Sequence, residues 1–284
     1  MKRWTVFQKA LQQARTNRKE EEMKGYKGFR KGLICKGKQY AENTVFEEEE
    51  MKVCESGMYF FPNPFDVLDY YGFVDENGHM NEFAEVEALA DTDMNDGKKY
   101  CTTKLKVGAK LSFAGFVKTC VDFVLEKTTL EMGDADENKI GSSGDSAQIG
   151  SSGDSAQIGS SGDYAKIGSS GDSAKIGSSG DYAKIGSSGD YAKIGSSGYS
   201  AQIGSSGDYA KIDSTGEDSV ICCAGHNSTV KAKKGSWITL SEWKYSEEKN
   251  RIVPLCVKTE YVDGERIKAD TFYRLVNGEF KEVN

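Results

Sequence analysis

The chain has 284 residues, of which 32 are glycine and only three proline, and its hydrophobic share of 37% and charged share of 29% are those of an ordinary folded protein rather than a wholly disordered one. The formal charge of −7 is unevenly spread, with a local +9 over residues 1–40 and a local −13 over residues 41–140. No run of basic residues is interleaved with aromatics, so the basic start is read as facing the acidic region behind it, and nucleic acid is set aside as a partner.

The first predicted element is a helix over residues 3–24. Trp4, Phe7, Leu11 and Ala14 recur at helical spacing on one face, and Gly25 ends the pattern. The segment lacks the apolar stretch of a signal peptide, and no window nears the roughly 20 apolar residues of a membrane span, so no membrane is expected.

Residues 25–139 read as an α+β domain. Candidate strands are Gly28–Cys35, Thr44–Phe46, Met58–Phe61, Phe83–Ala90 and Leu105–Val107, and Asn63-Pro64 starts a short helix. The alternation after Phe83 puts Glu85 and Glu87 on one face and Ala84, Val86 and Ala88 on the other, which predicts a solvated sheet edge. Phe113–Lys127 is apolar enough for either a helix or a strand.

From Gly141 to Ile212 the chain is eight consecutive nine-residue units of the form Gly-Ser-Ser-Gly-Asp-x-Ala-Gln/Lys-Ile, and Ile221 and Val230 continue the isoleucine column after the wording decays. A flexible Gly/Ser linker would show no periodic apolar column. Here Ala and Ile sit two apart and point to one side of a strand, with polar residues on the other. Stacked units can bury what one unit cannot, so residues 140–230 are predicted to form a parallel β-solenoid. The expected coil is two units, about 18 residues with two short strands and two turns. A triangular coil of three units, about 27 residues, is the less favoured alternative. Five coils at about 4.8 Å each make a rod on the order of 24 Å. The Gly-Ser-Ser-Gly segment is read as the tight turn, and Asp145, Asp154, Asp163, Asp172, Asp181, Asp190 and Asp208 as Asx-type turn formers. Compared with the calcium-binding nonapeptide repeat, the aspartate comes one position early, out of the ligand column. Tyr164, Tyr182, Tyr191 and Tyr209 lie on the outward side and are the candidate partner-binding residues.

Residues 231–284 read as a small β-rich cap. Trp237–Leu240 is a strand, and Asp263-Gly264 and Asn277-Gly278 each mark a hairpin. The cap is expected to seal one end of the solenoid and the head the other.

Chemistry-bearing constellations are sparse. Seven cysteines, odd in number and irregular in spacing, point to free thiols in a reducing compartment, the cytoplasm. Two histidines exclude a histidine-rich metal site; Cys222, Cys223 and His226 are read as packing residues of the last coil, and no metal or cofactor site is assigned. The stretches Gly25–Phe29 and Glu55–Tyr71 resemble ADP-ribosyltransferases. That resemblance implies a nicotinamide pocket lined by Tyr26 and Tyr59, with Glu85 or Glu87 as the catalytic acid and NAD as substrate, although the serine-rich strand of that superfamily has no counterpart here.

A broader resemblance is carried by Gly25-Tyr26-Lys27-Gly28-Phe29, Leu33-Ile34-Cys35, Val53–Phe60, Asn63–Val67, Phe83–Ala88, the repeats and the ending Val230–Leu240. Together they resemble a family of uncharacterised phage and prophage proteins, in which an N-terminal domain of unknown function precedes such repeats. The resemblance implies a viral or mobile-element origin, hence the host-cell cytoplasm, and Tyr59 stands where its members tend to carry histidine. The leading reading is a non-enzymatic protein that presents an extended surface to a protein partner, such as a host or host-defence protein. An ADP-ribosyltransferase-like enzyme and a structural or virion-associated component are the alternatives, and self-association through the head or the solenoid is left open.

Overall fold

The computed structural model describes residues 23–49, 57–95, 97–128 and 139–283. The helix expected over residues 3–24 lies outside them except for its last two, and these, Met23 and Lys24, open a strand instead. The chain forms an α+β head, a parallel β-solenoid with two repeat units in each coil, and a small β-rich C-terminal cap.

In the head, β1 (Met23–Phe29), β6 (Glu82–Ala88), β9 (Lys104–Leu111) and β4 (Thr44–Glu47) form an antiparallel sheet in the order β1-β6-β9-β4. A three-stranded sheet of β5 (Met58–Phe60), β8 (Lys99–Thr102) and β7 (Thr92–Asn95) stands beside it. The strand expected over Gly28–Cys35 is broken after Phe29, because Gly32 and Leu33 both take positive φ, and β2 (Ile34–Cys35) folds back as a hairpin with β3 (Lys38–Gln39). Strand β6 is interior, not an edge. Of its carboxylates only Glu85 is exposed, while the other two are paired with cross-strand lysines: Lys106 Nζ is 3.0 Å from Glu87 and Lys110 Nζ 3.1 Å from Glu82.

Two helices complete the head among the described residues. Helix α1 (Pro64–Val67) is capped by Asn63, whose Oδ1 accepts the Phe65 N–H at 3.0 Å, with proline at the first helical position. The ambiguous apolar run is helix α2 (Phe113–Thr128). Phe116, Val117, Cys120, Val121 and Val124 form its buried stripe, and Lys118 and Asp122 pair on the solvent side.

The solenoid is two sheets built from alternate repeats. One contains β10 (Lys139–Ser142), β12 (Gln157–Ser160), β14 (Lys175–Ser178), β16 (Lys193–Ser196), β18 (Lys211–Ser214) and β20 (Thr229–Lys231). The other contains β11 (Gln148–Ser151), β13 (Lys166–Ser169), β15 (Lys184–Ser187), β17 (Gln202–Ser205) and β19 (Val220–Cys223). Each strand pairs in parallel with the next but one along the chain, so Ile140 lies under Ile158 and Ile149 under Ile167. This is the two-unit coil that the repeat spacing predicts, not the triangular one. Ala, Ile and the first serine of each unit point inward. The isoleucines fill the centre, and the buried serines, such as Ser169 and Ser187, lie two residues further along each strand. That serine column is the third inward position, beyond the Ala and Ile columns that the repeat spacing identifies.

The turns work differently from expectation. No repeat glycine has positive φ; the left-handed residue is the one after the aspartate, for example Tyr164 (φ 57°), Ser173 (φ 58°) and Tyr182 (φ 56°). The second glycine of each unit is required for another reason. Its Cα faces the glycine carbonyl of the coil below so closely that a Cβ on Gly180 would overlap the Gly162 carbonyl. The aspartates act between coils rather than within a turn. Oδ1 of Asp163 accepts the Asp181 N–H at 2.8 Å, and Asp145, Asp154, Asp172, Asp181, Asp190 and Asp208 each bond the equivalent N–H of the next coil in the same way.

The parallel ladder runs past Val230. Strand β21 (Trp237–Ser246) pairs with β19, placing Ile238 over Ile221, because Ile238 and Leu240 keep the inward alternation. Strand β22 (Arg251–Tyr261) then returns antiparallel on β21, and β23 (Phe272–Val276) and β24 (Glu279–Val283) close the other sheet through the Asn277-Gly278 turn. The Asp263-Gly264 segment is not a hairpin. Asp263 Oδ1 accepts the N–H groups of Glu265 and Ile267, which folds that segment locally and buries Ile267 in the solenoid core.

The head does not seal an end of the rod. It lies along the sheet of β11–β19, with α2 against β11, β13, β15 and β17. Lys166 Nζ meets Asp66 Oδ1 at 2.6 Å, both side chains buried, and Lys184 is paired with Asp69 while donating to the Phe65 carbonyl at 3.1 Å.

Two outcomes follow from this packing. Gly177→Ala, on an open face and at negative φ, should leave stability within about 1 kcal/mol of wild type, whereas Gly180→Ala should cost more than about 4 kcal/mol or prevent folding; urea unfolding of the pair measures both. Asp66→Ala strands the buried Lys166 ammonium and should cost about 3–5 kcal/mol, and a second change, Lys166→Met, should recover most of it.

Candidate functional site

Because a unit is half a coil, successive units turn at opposite edges of the rod. The four candidate tyrosines therefore fall into two pairs. Tyr164 and Tyr182 stack at 4.9 Å and 7° on one edge, and Tyr191 and Tyr209 at 4.9 Å and 5° on the other. The coil spacing of about 4.8 Å sets that separation.

Each pair is extended by an aromatic ring that the repeat pattern does not single out. Tyr199 occupies the aspartate column where the wording becomes Gly198-Tyr199-Ser200, and meets Tyr182 edge-on at 4.6 Å. His226 does the same against Tyr209 at 5.6 Å, where the wording is Gly225-His226-Asn227. The signal in the sequence was the departure from consensus at the aspartate position. Tyr191 is 56% exposed, Tyr164, Tyr199 and Tyr209 are also exposed, and Tyr182 is half-buried between its neighbours.

These side chains come at a conformational cost. The left-handed position disfavours a non-glycine residue by roughly 1–2 kcal/mol, least for Asn and Asp. The decayed repeats use Asp218 and Asn227 there, but Tyr164, Tyr182, Tyr191 and Tyr209 hold the same conformation with large rings, exposed in all but Tyr182. Beside them run the carboxylates of Asp145, Asp163 and Asp181 on one edge and Asp154, Asp172, Asp190 and Asp208 on the other. None of the seven is in an ion pair among the described residues. Each edge is an aromatic ladder flanked by a carboxylate ladder.

The head has a shallow cleft of about 50 Å³ lined by Lys27, Gly28, Cys35, Lys36, Tyr59, Phe61, Tyr70, Tyr71 and Lys99. Lys27 is buried, and its Nζ donates to the Tyr59 carbonyl at 2.7 Å. Burial holds this amine below the ordinary lysine range, partly offset by the neighbouring Cys35 thiol. The Tyr71 hydroxyl donates to Cys35 Sγ at 3.1 Å, and burial pushes that phenol up. Lys36 and Lys99 stand over the Tyr59 ring at 4.7 and 4.2 Å.

Tyr59 thus lines a cleft, but Tyr26 does not share it. Tyr26 packs with the cluster of Phe61, Phe83, Phe116 and Cys120, and its phenol is pushed up by burial and by Glu85. Glu85 is exposed, and Glu87 is tied to Lys106. The structure does not bring Tyr26, Tyr59 and the two glutamates to one pocket. Nor does it join Cys222, Cys223 and His226: Cys222 lies under the head, its thiol pushed up to about 12 by burial, Cys223 lies in the solenoid core and His226 at a corner. Among the described residues, no three His, Cys, Asp or Glu side chains are placed to hold a metal ion, and no helix is long and apolar enough to cross a membrane.

The lowered amine has a measurable sign. Between its folded value and the unfolded 10.5, Lys27 binds fewer protons folded than unfolded, so its contribution to stability rises with pH. The stability of wild type minus that of Lys27→Met should increase as pH is raised towards 10.5, with a slope of up to about 1.4 kcal/mol per pH unit, and be flat at lower pH.

Comparison with known proteins adds one assignment. Residues 23–119, which run from β1 into α2, match the model of a domain of unknown function, DUF7666. No curated protein matches the chain, and no solved structure does. The chain is therefore an N-terminal domain of unknown function (DUF7666) followed by a repetitive β-solenoid.

Proposed function

We propose that this protein is a non-enzymatic macromolecule-binding module whose solenoid holds two aromatic edges at fixed spacing for a protein partner. The observation that carries the reading is the placement of Tyr164, Tyr182, Tyr191 and Tyr209 at left-handed positions, stacked and solvent-facing, where a smaller residue would serve the fold better. Rigid tyrosines give large contact area at low entropic cost. The carboxylates alongside them select cationic groups, since a guanidinium can stack on a phenol ring and bond a carboxylate next to it. The partner segment is accordingly an extended, arginine-rich one. The phage or prophage resemblance supports a host or host-defence protein as its source, met in the host cytoplasm.

Serine occupies the tyrosine position in four other units, at Ser146, Ser155, Ser173 and Ser200, with the same φ. Replacing all four tyrosines by serine should therefore leave the β-sheet amide I infrared band unchanged. Titrated with a synthetic arginine-containing peptide and followed by anisotropy, the variant should bind at least about tenfold more weakly than wild type, or about 1.4 kcal/mol. Equal binding by the folded variant would refute the reading.

A further inference from the structure

The two solenoid sheets are made from one repeat, so they present the same two outward columns: Gln or Lys at one position and the first glycine of the unit two residues on. On the sheet of β11–β19, both columns are covered by the head from β13 to β17. Helix α2 lies along the rod over the glycine column, so close that a Cβ on Gly204 would stand 2.9 Å from Val117 Cγ2 and one on Gly186 3.3 Å from Val121 Cγ2. A helical turn rises about 5.4 Å and a coil about 4.8 Å, so a helix along the axis sets nearly one side chain into each glycine gap. Valines 117, 121 and 124 do this at i, i+4 and i+7. The neighbouring column is met by carboxylates and carbonyls: Lys166 by Asp66, Lys184 by Asp69 and the Phe65 carbonyl, and Gln202 by the Leu68 carbonyl at 3.1 Å.

The opposite sheet carries the same columns uncovered among the described residues. A Cβ on Gly141, Gly159 or Gly195 would meet nothing within 4 Å, and one on Gly177 only a carbonyl at 4.0 Å. Lys175 and Lys193 are exposed, stacked in one column with no carboxylate against them; like charges placed directly opposite are unfavourable. The surface has a defined end. In the next coil Asp213 takes the glycine position and pairs with Lys231 at 2.8 Å, and Lys211 lies over the Phe272 ring.

We infer that this open face, from Gly141 to Gly195, docks an acidic amphipathic helix of a partner protein, lying along the rod as α2 does on the other side. Its apolar stripe carries small or β-branched residues at i, i+4 and i+7, seated on Gly159, Gly177 and Gly195. Its flanking carboxylates neutralise Lys175 and Lys193. The occupant is argued from charge complementarity and from the equivalent face that the chain itself has filled. The inference rests on the reading of the solenoid as a binding module, but it uses none of the tyrosines, so either surface can fail alone.

The probe is a synthetic helical peptide of about four turns, with valines at i, i+4 and i+7 and glutamates along one flank, titrated into the full chain and compared with a scrambled control. Wild type should bind the designed peptide at least tenfold more tightly than the scrambled one. Gly159→Val/Gly177→Val fills the groove in open space, so it should keep the wild-type Tm and lose at least tenfold in affinity. Lys175→Glu/Lys193→Glu should lose a similar factor, and the four-tyrosine serine variant should bind as wild type does. No preference over the scrambled peptide, undiminished binding to the folded valine variant, or loss of binding in the serine variant would each overturn the inference.

Discussion

The stack depends on how closely one coil can approach the next at its turns. Neighbouring strands must lie about 4.8 Å apart for their hydrogen bonds to form, and the turns must keep that spacing with no room for a side chain. The second glycine of each unit meets this condition, its carbonyl bearing on the glycine above. The aspartates reinforce the same step by bonding the backbone of the following coil. Once the turns can stack, the isoleucine column closes into a continuous core, and the corner residues are carried along in two rows at coil spacing.

That geometry also makes the rod two-faced in chemistry while uniform in sequence. Each sheet offers a glycine groove beside a polar column. The head fills one groove with α2 and neutralises Lys166 and Lys184 from the segment around α1, which fixes the two parts to each other through buried charge as well as apolar contact. A buried ion pair of this kind contributes less to net stability than to uniqueness of the docked arrangement, because desolvation offsets most of its attraction. The other face is left with the same pattern in solvent.

Much of the rod is legible in the repeat, because strict periodicity is a direct record of stacking: one position in nine repeats an isoleucine because an isoleucine in each half-coil is buried. The two-unit coil and the inward Ala and Ile follow from that record and from strand alternation, whereas the tyrosines lie in the turns, where alternation does not reach. The head is less legible in the sequence. Its short strands interrupt one another at Gly32 and Leu33, and α2 shows an apolar run that a strand would also show until its partner surface is known. Asp263-Gly264 carried a hairpin signature, yet Ile267 found a place in the core and the local turn was kept.

By itself, then, the sequence determined which positions repeat, that the alanine and isoleucine columns are buried and that this core must be shared between coils, since a nine-residue unit cannot hide its own isoleucine. Only the tertiary structure decided which of two like faces the head covers, and that Tyr26 and Tyr59 part company in the head. Those outcomes depend on contacts between residues far apart in the chain, such as Asp66 with Lys166, and no local pattern encodes such a choice when the competing surfaces are built from the same repeat.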